Sequence, residues 1–138
     1  MAASSFYYFA SPYHGTEEQM EFRLQENIRA TASLLQHNIH VFCPIMNSQA
    51  LLRELKLDKV ESRRDIIVPY DLTFLHAAKG MILYTLPGWD KSWGVDVEIK
   101  ECQMNRIPVY TLSPEQLDKA DFGKLFDSSI DVSKLKAA

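Results

Sequence analysis

Hydrophobic positions along this chain fall into two patterns: short continuous apolar runs that end in turn residues, and longer stretches with apolar residues every three or four positions. Phe6 to Ala10 is the first short run, closed by Ser11-Pro12-Tyr13-His14-Gly15, and it reads as a buried strand. From Thr16 the period lengthens. Thr16 suits a cap, Glu17 and Glu18 a first turn, and Met20, Leu24, Ile28, Leu34 and Leu35 recur at near-helical spacing, which predicts a helix to about His37. Asn38 closes it, and Ile39 to Cys43 forms a second strand that Pro44 stops. Residues 45 to 63 show no clean period and predict a loop with a short helix around Ser48 to Leu55. Helical spacing returns over Asp65 to Ala78, with Ile67, Leu72, Leu75 and Ala78 on one stripe and Pro69 near the start. Met81 to Leu86 is a third strand, broken by Pro87-Gly88. Ser92 then caps a helix with Val95, Ile99 and Cys102 on one face. Ile107 to Leu112 is the fourth strand, and Ser113-Pro114-Glu115-Gln116 combines capping-box spacing with a proline at the first helical position.

Strands that alternate with helices predict an α/β fold: a doubly wound, mainly parallel sheet with helices on both faces. At 138 residues the chain is expected to be a single domain, with 113–138 a partly helical C-terminal extension. Ligands of such sheets bind outside the carboxyl ends of the strands. That directs attention to Ser11–Gly15, Pro44–Ser48 and Leu86–Ser92.

Composition narrows the chemistry. Hydrophobic residues at 46% and charged residues at 24% argue for an ordinary packed core. A formal charge of -3 removes the field that a binder of polymeric nucleic acid needs. Cys43 and Cys102 lack the spacing of a zinc knuckle or disulfide framework, and His14, His37, His40 and His76 show no metal-ligand spacing, so neither metal nor cofactor is expected. No stretch approaches the roughly 18 apolar residues of a membrane span, and the start has no basic segment followed by a long apolar run. A cytoplasmic protein without a membrane partner is the expectation.

Each candidate residue also has a plain structural explanation. Ser11 to Thr16 lacks the glycines and lysine of a phosphate-binding loop, but Tyr13 and His14 exceed what a strand-to-helix turn requires. Trp89 fits the wall of a base pocket and a core edge equally, while Trp93 fits the core edge better. Glu98, with Asp96, Lys100 and Glu101 around it, has the pattern of a solvated helix face, and so has Asp71. Two carboxylates that meet in a pocket would instead suit glycosidic chemistry, one attacking or stabilising a cationic sugar and the other managing a proton.

Taken in order, Tyr8-Phe9-Ala10-Ser11-Pro12-Tyr13, Pro44-Ile45, Asp71, Leu86-Pro87-Gly88-Trp89 and Ser92-x-Gly94-x-x-x-Glu98-Ile99 resemble the nucleoside 2-deoxyribosyltransferase-like superfamily over about residues 6 to 112. The similarity is greatest to a small branch with an ASPY start and an LPGW centre. It implies that Glu98 is the nucleophile at the anomeric carbon, that Asp71 assists the departing base, and that Tyr8, or less well Tyr7, holds the nucleophile. Ser11, Tyr13, His14, Trp89, Ser92 and Gly94 would bind the substrate, and Ser92 stands where the nucleotide hydrolases of the superfamily place a serine and the nucleoside transferases a carboxylate. Lys79 replaces an aspartate of many relatives, and Asn47 or Ser48 a histidine. The resemblance thus implies an N-glycosidase or deoxyribosyltransferase acting on a nucleoside or its 5'-monophosphate, assembled as a homo-oligomer, dimeric or larger. The alternatives are a non-catalytic nucleotide-binding sensor or interaction domain of the same fold and, more weakly, a hydrolase of a larger nucleotide such as NAD.

Overall fold

The computed structural model describes residues 5–57 and 59–131. Four strands, β1 (Tyr7–Ala10), β2 (Val41–Phe42), β3 (Met81–Tyr84) and β4 (Val109–Leu112), form one sheet in the order β2-β1-β3-β4. All its pairings are parallel, with Tyr8 opposite Phe42 on one side and Met81 on the other. Helices α1 (Glu17–Gln36), α2 (Pro44–Leu55), α3 (Val60–Ala77), α4 (Trp93–Asn105) and α5 (Pro114–Asp118) connect and follow the strands. Among the described residues no helix is long and apolar enough to cross a membrane.

Alternation along the strands splits the core into two faces. Phe9, Ile82 and Tyr84 pack against Ala30 and Leu34 of α1 and against Leu117, Phe122 and Leu125 after β4. On the other face Tyr8, Ala10, Met81 and Leu83 pack against Leu75 of α3 and against Val95, Ile99 and Cys102 of α4. Strands buried on both faces read as unbroken apolar runs, which is why β1 and β3 were legible without an alternating pattern. The sheet is therefore doubly wound, as the sequence predicts.

Two expectations need correction. Pro44 does not open a loop: it is the first residue of α2, and residues 44–55 and 60–77 are helical. Proline is well placed there, because a first-turn N–H has no intrahelical acceptor to lose. The period failed as a guide since most apolar residues of this stretch stay at the surface, among them Met46, Leu51, Leu55, Val60 and Ile66. As a result α3 begins five residues earlier than predicted, and Pro69 lies inside it, where its missing N–H leaves the Asp65 carbonyl without its helical donor. After β4 the regular helix is confined to Pro114–Asp118; residues 132–138 of the expected extension lie outside the described residues.

Candidate active site

The chain leaves β1 for β2 on one side of the sheet and returns to β3 on the other. The crevice at the carboxyl end of β1 is consequently the switch point at which sheets of this kind bind ligands. A cavity of about 340 Å³ occupies it. Tyr8, Ser11, Tyr13 and His14 reach it from β1 and the loop beyond, Asp71 from α3, and Ser92, Gly94 and Glu98 from the start of α4. Eight of the nine residues singled out in the sequence thus meet in one place.

Ser92 caps α4, its Oγ accepting from the Val95 N–H at 3.3 Å. Gly94 and Glu98, one helical turn apart, then share the face toward the cavity while Val95, Ile99 and Cys102 share the buried one. A Cβ at Gly94 would meet only Ser92 Oγ, at 4.0 Å, so this glycine leaves room that protein does not fill. Loss of solvent pushes the Glu98 carboxyl up to about 8; the Asp71 charge adds to the rise, and a hydrogen-bonding influence of the Tyr8 hydroxyl opposes it. Asp71 is raised to about 6, again chiefly by burial, and Ser48 Oγ limits the shift by donating to Asp71 Oδ1 at 2.7 Å. The Tyr8 hydroxyl is fully buried, meets no acceptor at full hydrogen-bond geometry, and is held well above its ordinary pKa by burial and by both carboxyls.

Not every assignment falls where the sequence suggests. Trp89 does not line the cavity but packs on the sheet face that holds Tyr8 and Leu75, whereas Trp93, 45% exposed, does line it. The structure thus gives Trp89 the core-edge place, one of its two expected ones, and moves Trp93 from the expected core edge to the cavity. The 3-10 turn over Trp89–Lys91 turns the first ring inward, and Trp93 begins α4 on its exposed side. Ser11 lines the cavity, but its hydroxyl is engaged by the buried Asn27, which donates to it at 2.7 Å. Nor does the start of α1 face the site. Thr16 and Gln19 cap it reciprocally, and neither lines the cavity.

Several residues of the site escaped sequence reasoning. Asn27 joins the ends of β1 and β2, since Cys43 Sγ also donates to its Oδ1 at 3.2 Å. Arg23 donates to the His14 carbonyl at 2.7 Å and to the Pro87 carbonyl at 3.3 Å, tying together the two loops that border the cavity. Gly88 sits beneath it at φ +97, a conformation that glycine adopts without strain. A signal for Asn27 did exist: it is a polar residue on the inward stripe of α1, between Leu24 and Ala30. Arg63 and Arg64 also line the cavity, from a stretch before Asp65 that carries no readable period, and so does Ser48, one of the two positions at which the resemblance noted a replaced histidine.

An α/β protein with two half-buried, desolvated carboxyls over the switch point of a parallel sheet is the class these features define. Residues 5–113 match a domain of unknown function, DUF1937, and the chain belongs to that family. A solved structure of a 2-deoxyribosyltransferase from the psychrotolerant bacterium Bacillus psychrosaccharolyticus is similar, with a TM-score of 0.54 over 97% of this chain and 92% of that one. At 22% identity, what the two share is the fold. No curated protein matches the sequence.

The carboxyls make stability depend on pH. Glu98 titrates near 8 in the folded chain against 4.5 ordinarily, so across that window the folded state holds a proton that the unfolded state has lost. Stability then falls as pH rises. Asp71, raised from 3.8 to about 6, acts in the same direction over its own window. The unfolding midpoint in denaturant is expected to drop steadily from pH 5 to pH 8; a midpoint rising over that range would refute the burial of these groups.

Proposed function

We propose that this chain is an N-glycosidase that cleaves the base–sugar bond of a nucleoside or nucleoside 5'-monophosphate through a covalent glycosyl-Glu98 intermediate. Base exchange is the second outcome of the same intermediate. The observation that carries the reading is the meeting of Glu98, Asp71 and Tyr8 at one cavity, with both carboxyls shifted upward. A pair of this kind retains one proton near neutral pH, on Glu98 in the free chain, and the reaction uses it once it has passed to Asp71: Glu98 is then the carboxylate that attacks and Asp71 holds the proton for the leaving base.

In the first step a Glu98 oxygen forms a bond to the anomeric carbon as the bond from that carbon to the base nitrogen breaks. The bonding pair leaves with the base, and Asp71 supplies the proton that neutralises it. Tyr8 positions Glu98, its hydroxyl closing onto the carboxylate as negative charge is confined there; hydrogen bonds at such sites commonly tighten only when ligand is bound. Water, or an acceptor base, then attacks the anomeric carbon, Glu98 departs as carboxylate, and the nucleophile's proton returns to Asp71. Trp93, with Tyr13, offers the base an aromatic wall. Ser92 Oγ accepts from the helix, and its hydroxyl proton remains for a sugar or phosphate oxygen.

Incubation with a panel of nucleosides and 5'-monophosphates, with and without an acceptor base, followed by chromatography for free base, tests the assignment. We expect base release from at least one member. Absence of release from all of them, with binding retained, would replace the enzyme by a nucleotide-binding sensor.

A further inference from the structure

The floor of the cavity is acidic, but its mouth is not. Arg63 and Arg64, consecutive residues in the first turns of α3, both line the cavity, as does His14 from the loop after β1. The Arg64 guanidinium lies over the Trp93 ring, 3.8 Å from its centroid, beside the Ser92 cap of α4. Arg63 is fixed by its Nε, which donates to the Leu57 carbonyl at 2.7 Å and leaves its terminal nitrogens available. Among the described residues neither guanidinium is paired with a carboxylate, in a chain whose net charge is -3. Their field is felt at His14, which burial and the two arginines hold below the usual histidine range. Glu98 and Asp71 reach the same cavity from α4 and from farther along α3, and their shifts come from burial, with Tyr8 and Asp71 acting on Glu98 and Ser48 on Asp71. Positive and negative groups therefore occupy different parts of one cavity.

We propose that Arg63, Arg64 and His14 form an anion site at the mouth of this cavity, so that the ligand whose sugar lies at Glu98 carries a phosphate on that sugar. This inference rests on the sugar-binding reading of the cavity and narrows its substrates to phosphorylated nucleosides. A planar guanidinium matches phosphate oxygens through two parallel hydrogen bonds. The Trp93 ring holds Arg64 at the border of the cavity, and neutral His14 adds one ring N–H.

The test needs no turnover. Binding of 2-deoxyribose 5-phosphate and ribose 5-phosphate to the wild-type chain is compared by calorimetry with that of the unphosphorylated sugars and of inorganic phosphate. The sugar phosphates are expected to bind at least about thirtyfold more tightly than the sugars, and Arg64→Gln to lose at least about tenfold of that. Arg64→Lys, which keeps charge but not the fork, should fall between, and Arg63→Gln should weaken binding in the same selective way. Arg53→Gln, an equal change of charge on α2 outside the cavity, controls for long-range field and should change affinity less than about twofold. Absence of any preference for phosphate overturns the proposal, and so does full affinity in both Arg64→Gln and Arg63→Gln, or an equal loss in Arg53→Gln. Failure of the glycosidase reading looks different: arginine-dependent binding of sugar phosphates with no base released from any nucleotide.

Discussion

Glu98→Gln is expected to slow base release at least about a hundredfold with substrate binding largely retained, because the amide keeps the shape of the carboxylate but cannot form the glycosyl ester. The same substitution should stabilise the fold at alkaline pH. Wild-type Glu98 must ionise under protein cover above pH 8, whereas glutamine never carries charge. Near pH 9 the variant should unfold at least about 5 °C higher than wild type, a shift that corresponds to about 1–2 kcal/mol for a domain of this size. Near pH 4 the two should coincide, since the carboxyl is then neutral both folded and unfolded. Loss of activity coupled to a gain in stability marks a charge kept for chemistry. Near-normal turnover would exclude Glu98 as nucleophile, and a pH-independent stability difference would exclude the burial argument.

Ser92→Asp carries the second large effect, because it separates phosphorylated from free substrates. Aspartate caps a helix about as well as serine, so α4 should keep its start and the substitution should report charge. A carboxylate a few ångströms from a bound phosphate in a partly desolvated site costs on the order of several kcal/mol, far more than one hydroxyl hydrogen bond contributes. Arg64, stacked on the neighbouring Trp93, would also be drawn away from the substrate. Turnover of 5'-monophosphates should therefore fall by about a hundredfold or more. That of free nucleosides should fall less, or rise, since a carboxylate accepts a hydrogen bond from a sugar hydroxyl. Ser92→Ala should lose only the cap and one donor, a modest effect on either class. Equal losses for both classes in Ser92→Asp, or a wild type that prefers free nucleosides, would place the phosphate elsewhere and favour base transfer between nucleosides.

Legibility in the sequence followed burial closely. Phe6 to Ala10 and Met81 to Leu86 announce strands because both of their faces are covered, and Ser92 and Ser113 announce helix starts because a cap is a local contact three residues long. Only the starts of α2 and α3 were obscured, since exposed Met46, Leu51, Leu55 and Ile66 break the stripe on which a periodic reading depends. Arg63 and Arg64 were missed with them. The candidate carboxyls were reached through the ordered motifs that end in Ser92-x-Gly94-x-x-x-Glu98, because spacing alone gives Glu98 the look of a solvated face.

Local chemistry in the sequence thus determined the alternation of strand and helix, the parallel sheet that such alternation requires, the capped start of α4, and the presence of Glu98 one turn beyond Gly94. Only the tertiary structure decided which side chains share a cavity. Asp71 and Ser48 are 23 residues apart yet 2.7 Å from contact to contact, and Arg64 meets Trp93 across two different helices. It also decided that Trp93, not Trp89, lines the cavity, and that Glu98 and Asp71 hold their protons to unusually high pH. The physical reason is common to all of these. Caps and turns are short-range and written in neighbouring residues, whereas desolvation and charge coupling depend on distances that exist only after the sheet has brought the ends of β1, α3 and α4 together.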